Sequence, residues 1–165
     1  MSKVRSWFMM GALMGALVMT SGCAEILAQA VKDSYIQQEL KKTPIQKSQS
    51  EVMAATVEVL TAEGWTISND GGNTMKSQER ASSNCSNPGS RTWVEAIAED
   101  VGNGIELSIK EYIKCPKSDG SEGINMTQGK WLIEFAVVKK LEPERAAALE
   151  AEGEKRKQAE LGPKK

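Results

Sequence analysis

Residues 104–114 carry the sequence GIELSIKEYIK, and this stretch says more about the fold than any other part of the chain. Apolar side chains alternate there with polar or charged ones, and the apolar positions are Ile105, Leu107, Ile109 and Ile113. A period of two predicts a β-strand that places one face on a core and the other in water. We therefore expect a half-buried strand of a sheet.

A second strand is predicted just before this one, over residues 92–99, with a tight turn at residues 102–104 between the two. Pairing of the two strands about this turn would put Cys115 opposite a position near Gly89. Cys85 is then only a short loop away, within reach of the Cα separation of ~5.5–6 Å that a disulfide prefers. The hairpin register thus favours a Cys85–Cys115 bridge.

A helix is predicted over residues 49–63. Ser48 followed three residues later by Glu51 fits a capping box, in which each side chain satisfies a free backbone N–H at the helix start. Gly64 stands just past the end, where a left-handed cap favours glycine. The apolar face at helical spacing is Val52, Ala55, Thr56, Val59 and Leu60.

The remaining segments are assigned from composition and period. Residues 65–68 and 74–79 are predicted to be strands joined by a tight turn at residues 71–73. Residues 81–90 and 116–129 are polar and contain glycine, so both are predicted to be loops.

Residues 131–138 fit either element. On a helical wheel their apolar side chains lie all round, whereas a strand would put Trp131, Ile133, Phe135 and Val137 on one face. The Val and Ile content also favours a strand, which is our prediction, with a helix as the alternative. Pro143 suits the first turn of a helix, so Glu142 to about Glu160 is predicted to be a final helix with little apolar face.

The order of these elements predicts an α+β fold, with one helix packed on one face of an antiparallel sheet of four to five strands and a C-terminal helix. The domain is expected over residues 48–141, with a charged helix and tail over 142–165. Residues 23–47 are expected to be a tether outside the core.

The N-terminus has the three-part layout of an export signal. Lys3 and Arg5 precede an uncharged apolar run at residues 7–19, and the small residues Thr20-Ser21-Gly22 lead to Cys23. This motif resembles the lipobox of bacterial lipoproteins, although Thr20 stands where that family more often has Leu. The resemblance implies that residues 1–22 are a signal peptide, cleaved before Cys23, and that Cys23 is acylated.

Two other interpretations of this segment stay open. The apolar run could be an uncleaved membrane anchor, but its 13 residues fall short of the ~20 that a helix needs to cross a bilayer. It could also be an ordinary signal peptide with a cysteine nearby by coincidence. If it is a lipobox, Ala24 in place of the Asp used for inner-membrane retention indicates the periplasmic face of the outer membrane.

Cysteine use agrees with export. With Cys23 assigned to lipid, Cys85 and Cys115 form an even pair in an oxidising compartment, so we predict a disulfide between them. The alternatives are two free thiols or a pair of metal ligands. Zinc sites normally need three or four protein ligands and the chain has no His, so no metal site is predicted.

Composition excludes several classes of function. Cleavage before Cys23 would leave 19 basic residues against 22 acidic ones, which gives no electrostatic reason to expect nucleic acid. Without His, the usual general base and metal ligand are missing, and no phosphate-binding glycine motif is present. Glu95 and Glu99 lie four apart on a predicted strand, ~13 Å from each other, which is too far for a glycosidase pair. We expect no catalytic residues, no cofactor and no enzyme activity.

The element order over residues 48–141 also resembles that of small periplasmic modules of outer-membrane lipoproteins of the BamC type, in the β-barrel assembly machinery. That resemblance implies a non-catalytic interaction or envelope-assembly module, held to membrane lipid through acylated Cys23 and bound to an envelope protein. The alternative is a module that binds a small molecule or lipid between helix 49–63 and the sheet. Trp65, Trp93 and Trp131 could line such a ligand groove, but core packing is the favoured interpretation.

Overall fold

The structure, a computed structural model, describes residues 3–68, 72–83, 89–116 and 121–162. It divides into two compact units, one formed by residues 1–39 with 148–165 and the other by residues 40–147. The second unit contains the whole sheet. The first is built from parts of two helices, and each unit is described by itself.

In the described residues of the second unit six antiparallel strands form the sheet, which confirms the predicted α+β class. The strands are β1 Ile67–Ser68, β2 Thr74–Ser77, β3 Arg80–Ala81, β4 Arg91–Asp100, β5 Ile105–Pro116 and β6 Glu122–Gly129. Their order is β1-β2-β4-β5-β6, and β3 pairs with β4 beyond the end of β2. The sheet is therefore larger than the four to five strands predicted.

The central hairpin of β4 and β5 is confirmed in its elements and in its register. Arg91 pairs with Lys114 at the open end and Asp100 with Ile105 at the turn, so the pairing is centred between residues 102 and 103. Gly102 has φ +85°, a left-handed conformation that glycine adopts without strain. The Asp100 carboxylate accepts the Gly102 N–H at 2.8 Å, which fixes the turn.

The predicted capped helix is also confirmed, as α2 Gln49–Ala62. Ser48 and Glu51 make the reciprocal bonds of a capping box. At the other end Gly64 has φ +80°, its N–H donates to the Thr61 carbonyl, and the Trp65 N–H donates to the Leu60 carbonyl at 2.9 Å. These two bonds form a Schellman motif, which satisfies carbonyl groups that the helix end would leave free.

The prediction of a strand over residues 131–138 is wrong, because this segment belongs to a helix, α3 Trp131–Leu141. The helix contacts both α2 and β5, and its buried side chains are Phe135, Val137 and Val138. A helix covered on two sides needs apolar residues on more than one face. The apolar residues of this segment therefore lie all round the helical wheel, and their two-residue period wrongly indicated a strand.

Helices α2 and α3 both pack against the sheet, where one packed helix was predicted. Fully buried side chains from every layer meet there: Val52 and Leu60 of α2, Val94 of β4, Ile109 of β5 and Val137 of α3. The described side chains between helices and sheet thus form a filled core.

The predicted loop over residues 116–129 is also wrong from Glu122 onward, since β6 pairs with β5 along most of its length. Strand formation depends strongly on the neighbouring strand, so a glycine-containing polar segment can be a strand where a partner edge is available. Residues 117–120 of this segment, residues 84–88 of the other predicted loop, and Gly71 of the predicted turn lie outside the described residues.

Two long helices remain, α1 Lys3–Lys42 and α4 Pro143–Leu161. The predicted final helix, with Pro143 in its first turn, is confirmed as α4. In the first unit α1 and α4 lie side by side and antiparallel. Two contacts show this direction: Lys32 Nζ contacts Glu154 at 3.1 Å, and Lys157 Nζ donates to Gln29 at 2.9 Å.

The expectation that residues 23–47 lie outside any core is wrong. Ala28 and Ile36 of α1 are 0% and 2% exposed, and Gly153 of α4 lets the two helices approach closely at Ile36. In the second unit Ile45 is 4% exposed and pairs with Ile105. Local composition did not reveal these contacts, because both depend on residues about 60 or more positions away along the chain.

Candidate functional site

Cys23, the predicted lipid attachment site, lies on α1 with an exposed, free thiol. Side chains are described only from Gly22 onward, so those of the preceding lipobox residues fall outside the described part. No helix that the structure describes is long and apolar enough to cross a membrane. The geometry leaves Cys23 accessible to a modifying enzyme.

Cys115, one of the two predicted disulfide residues, lies near the end of β5 and is disulfide-bonded. The pairing of Arg91 with Lys114 puts it one position beyond the end of β4, within a residue of the place predicted from sequence. Cys85 lies outside the described residues, so its pairing with Cys115 stays a prediction.

The two faces of the sheet differ in chemistry. On β4, Val94 and Ala96 point to the packed helices and are buried, whereas alternate residues point to the opposite face, which we call the open face. The open face carries charged side chains, the half-buried Ile97 and two aromatic residues, of which Trp93 is buried. Its residues come from three strands: Lys76 of β2; Trp93, Glu95, Ile97 and Glu99 of β4; Glu106, Lys110 and Tyr112 of β5. It is the mixed polar surface of the sheet.

An aromatic pair marks the middle of the open face. Trp93 and Tyr112 are cross-strand partners, and their rings stack at 5.4 Å between centroids. The Glu95 carboxylate accepts the Trp93 Nε1–H at 2.9 Å, and Lys76 Nζ lies 4.8 Å from the Trp93 ring centroid. Burial, with help from the negative charge of Glu95, raises the pKa of Tyr112, so the phenol stays neutral.

Two shallow depressions, of about 280 and 220 Å³, lie on this face and share Ile97. The first runs between β2 and β4 past Lys76 and Glu95. The second is lined by Glu99, Glu106, Ser108 and Lys110 together with Ile97. Ile97 is half-buried, so a small apolar spot stands among charges of both signs.

The strand β6 forms one edge of the sheet that the structure describes. Its eight residues, EGINMTQG, include one charged residue, Glu122, and no proline or lysine. Native proteins commonly protect long edge strands with lysine, proline or a covering segment, because the free backbone groups of an edge can pair with another strand. Tyr112 of the open face stands opposite Met126 of β6 in the register.

Trp65, Trp93 and Trp131, the three candidate groove residues, do not form one groove. The Arg80 guanidinium carbon lies 3.4 Å from the centroid of the Trp65 ring. Arg80 pairs with Thr92, which points to the helix side of the sheet, so Trp65 lies on that side. Trp93 is on the open face, and Trp131 begins α3, where it is half-buried. Trp65 and Trp93 are each 5% exposed, which fits packing better than ligand contact.

Sequence reasoning missed a buried carboxylate at Glu111. This side chain points to the helix side of β5, is 7% exposed, accepts the Thr92 hydroxyl at 2.9 Å and forms an ion pair with Lys130. Burial alone would raise the pKa of Glu111, but hydrogen bonds from Lys130 and Thr92 outweigh it and lower the pKa. An irregularity in the β5–β6 pairing between Lys110 and Tyr112, next to Glu111, could not be read from the alternating pattern.

A second carboxylate, Glu134 of α3, accepts the Ile109 N–H at 2.8 Å at the edge of β5. Burial raises the pKa of Glu134, partly offset by that backbone bond. The Lys130 ammonium contacts Glu111, and the Lys130 N–H donates to the carbonyl of Ile109, the residue whose N–H Glu134 accepts. These bonds attach the start of α3 to β5, which is a structural role.

Glu95 and Glu99 do not converge on one point. Glu95 is engaged with Trp93 and with Lys76, at 3.7 Å from the ammonium, whereas Glu99 is exposed near the turn.

Comparisons of this chain with protein-family models, curated proteins and solved structures give no match.

Proposed function

We propose that this chain is a periplasmic lipoprotein, anchored in the outer membrane through acylated Cys23, that acts as a non-catalytic interaction or envelope-assembly module. The observation that carries the interaction role is the edge strand β6, whose eight residues contain a single charge. An extended segment of a partner protein would add to such an edge by backbone hydrogen bonds. The adjoining open face supplies side-chain contacts around Tyr112 and Ile97.

The alternative, a ligand held between helix and sheet, has less support. The side chains at that interface are fully buried, among them Leu60, Val94 and Ile109. A ligand of ordinary size needs a cavity of several hundred Å³. A partner on the sheet edge requires no such space.

The anchor is tested by labelling with palmitate and by the mass of the N-terminal peptide. Wild-type protein should incorporate label at Cys23, and Cys23→Ala should be released from membranes or remain as an uncleaved precursor. Absence of label from the wild type would overturn the lipoprotein assignment. Density fractionation should place the protein in the outer membrane, and recovery in the inner membrane would contradict that location.

The interaction role is tested by photo-crosslinking in intact cells. A photoreactive residue at Met126 of β6, the position opposite Tyr112, should capture a defined envelope protein, whereas the same residue at Leu132, a 64% exposed position of α3, should not. Met126→Lys with Gln128→Lys should abolish capture from a reporter at Ile97, because charges on an edge strand oppose strand addition. Leu132→Lys is the matched control. Equal capture from residues 126 and 132 would contradict the proposal.

A further inference from the structure

The first two turns of α1 after the predicted cleavage point expose an apolar stripe. Ile26 is 71% exposed and Leu27 is 64% exposed. Among the other large apolar residues of the described chain, only Leu132, also at 64%, is as exposed as Leu27. Cys23, Ile26, Leu27 and Ala30 stand at the spacing i, i+3, i+4 and i+7, which places them on one face of a helix. We call this set the 23–30 stripe.

Helix α4 packs on the other side of α1. Its contacts within the first unit include those to Gln29, Lys32, Tyr35 and Ile36, and Ala28 is fully buried. These positions lie on a different face from the 23–30 stripe, since each residue turns the helix by about 100°. Charged residues of α4 border the stripe on either side, but they leave Ile26 and Leu27 mostly exposed. The stripe ends within about 10 Å, because the next positions on the same face, Ser34 and Gln37, are polar.

We propose that the 23–30 stripe lies in the bilayer surface, so that the first turns of the mature protein form a rigid, partly immersed stem instead of a free tether. The inference rests on the proposed acylation of Cys23. Acyl chains hold residue 23 at the level of the lipid headgroups. Ile26 and Leu27 rise only about 4.5–6 Å further along the axis and face the same way, so an immersed Cys23 brings both to the acyl boundary.

A second copy of the chain is the other possible occupant of the stripe. Stable protein interfaces bury on the order of 1,200–2,000 Å² in total. Two aliphatic side chains and an alanine on two turns of helix offer much less. Lipid requires no such area, because the acyl chains already provide the attachment.

The test uses the full acylated protein in vesicles of phosphatidylethanolamine and phosphatidylglycerol. A spin label is placed at Leu27→Cys and, as control, at Val101→Cys, a 44% exposed position in the β4–β5 turn. Collision with oxygen should exceed collision with a water-soluble nickel chelate at residue 27, and the reverse should hold at residue 101. In an Ala30→Cys background, replacing Ile26 and Leu27 by Ser should raise nickel collision at residue 30 at least several-fold.

Three outcomes distinguish the anchor from the stem. If the N-terminal peptide carries no acyl chains, the proposed anchor fails and this inference fails with it. If the peptide is acylated but the label at residue 27 reports water, the anchor stands and the immersed stem is overturned. Dipolar broadening at residue 27 that disappears on dilution with unlabelled protein would identify a second copy as the occupant, and this also overturns the stem.

Discussion

Ile45 and Ile105 exchange both of their backbone hydrogen bonds, at N···O distances of 2.8 and 2.9 Å in the two directions. Ile45 follows α1, in a stretch that composition predicted to be a tether, and Ile105 begins β5. The Gln46 side chain adds a bond to the Asn103 carbonyl at 2.7 Å. The chain after α1 is therefore paired with the central hairpin, and mutations at this contact should be felt by the whole second unit.

Gly104→Ala should be markedly more destabilising than Gly102→Ala. A Cβ at Gly104 would meet Gln46 Nε2 at 2.7 Å and the Ile45 carbonyl at 2.8 Å, and φ is +140°. We expect a loss of about 2–4 kcal/mol in the free energy of unfolding, within the range of overpacking combined with backbone strain.

The matched control is Gly102, which has φ +85° and open space where the methyl group of an alanine would lie. Gly102→Ala should lower the free energy of unfolding by only ~1–2 kcal/mol, the cost of an alanine in the left-handed conformation. Urea unfolding of both variants measures the difference, and equal losses would mean that the strand pairing at Ile45 does not persist in solution.

Arg145→Met should also loosen the segment after α1. The guanidinium donates to the Thr43 and Pro44 carbonyls and pairs with Glu142 at 2.7 Å. Loss of hydrogen bonds from a charged donor should cost about 1.5–3 kcal/mol. Lys155→Met is the control, since Lys155 is 77% exposed and such surface pairs contribute ~0–1 kcal/mol. Similar unfolding midpoints for the two variants would contradict the prediction.

Glu111→Gln should destabilise the protein at neutral pH. Because the pKa of Glu111 is lowered in the folded state, its ionised form stabilises the fold above the unfolded pKa of ~4.3, and that contribution disappears as pH falls through the folded pKa. We expect a loss of about 1–3 kcal/mol at pH 7 that shrinks on acidification. A loss independent of pH would show that Lys130 does not pair with the carboxylate.

Glu134→Gln should have the opposite pH dependence. Burial raises the pKa of Glu134, so the wild type loses stability as pH rises from the unfolded pKa through the raised folded value. Glutamine keeps an oxygen for the Ile109 N–H but carries no charge. The variant should be at least as stable as the wild type at pH 7, with its advantage vanishing near pH 4, as urea unfolding across this range would measure. The difference in free energy of unfolding between Glu134→Gln and the wild type should thus favour the variant more at pH 7 than at pH 4, and the reverse order would contradict the prediction.

The parts of the fold that sequence predicted correctly have local signals. The Ser48–Glu51 box, Gly64 and the alternation from Ile105 to Ile113 each act within a few residues, and α2 and the β4–β5 hairpin follow from them. By contrast, β6 and Ile45 pair with the edge of β5 through backbone hydrogen bonds, which do not depend on the identity of the side chains. Pairing partners of that kind cannot be read from composition.

The same distinction applies to the candidate site. Cys23 could be singled out because its motif is contiguous, and Cys115 because the hairpin register is local. Glu111 escaped notice, since an alternating strand normally puts a charge in water. Lys130, from the chain beyond β6, and the Thr92 hydroxyl make its burial tolerable. The edge position of β6 emerges only from the complete strand order.

Cys85 and Cys115 should form a disulfide in the mature protein. Cys115 is disulfide-bonded at the open end of the β4–β5 hairpin, and Cys23 is expected to carry lipid, which leaves Cys85 as the partner. Closing this loop should contribute ~3 kcal/mol by restricting the unfolded chain. Cys85→Ser and Cys115→Ser should each lower stability by about that amount while leaving membrane attachment intact, and the double variant should match either single one. Peptide mapping of the unreduced mature protein identifies the partner directly: two free thiols at these positions would end the prediction, and a bridge to Cys23 would remove the lipid anchor as well.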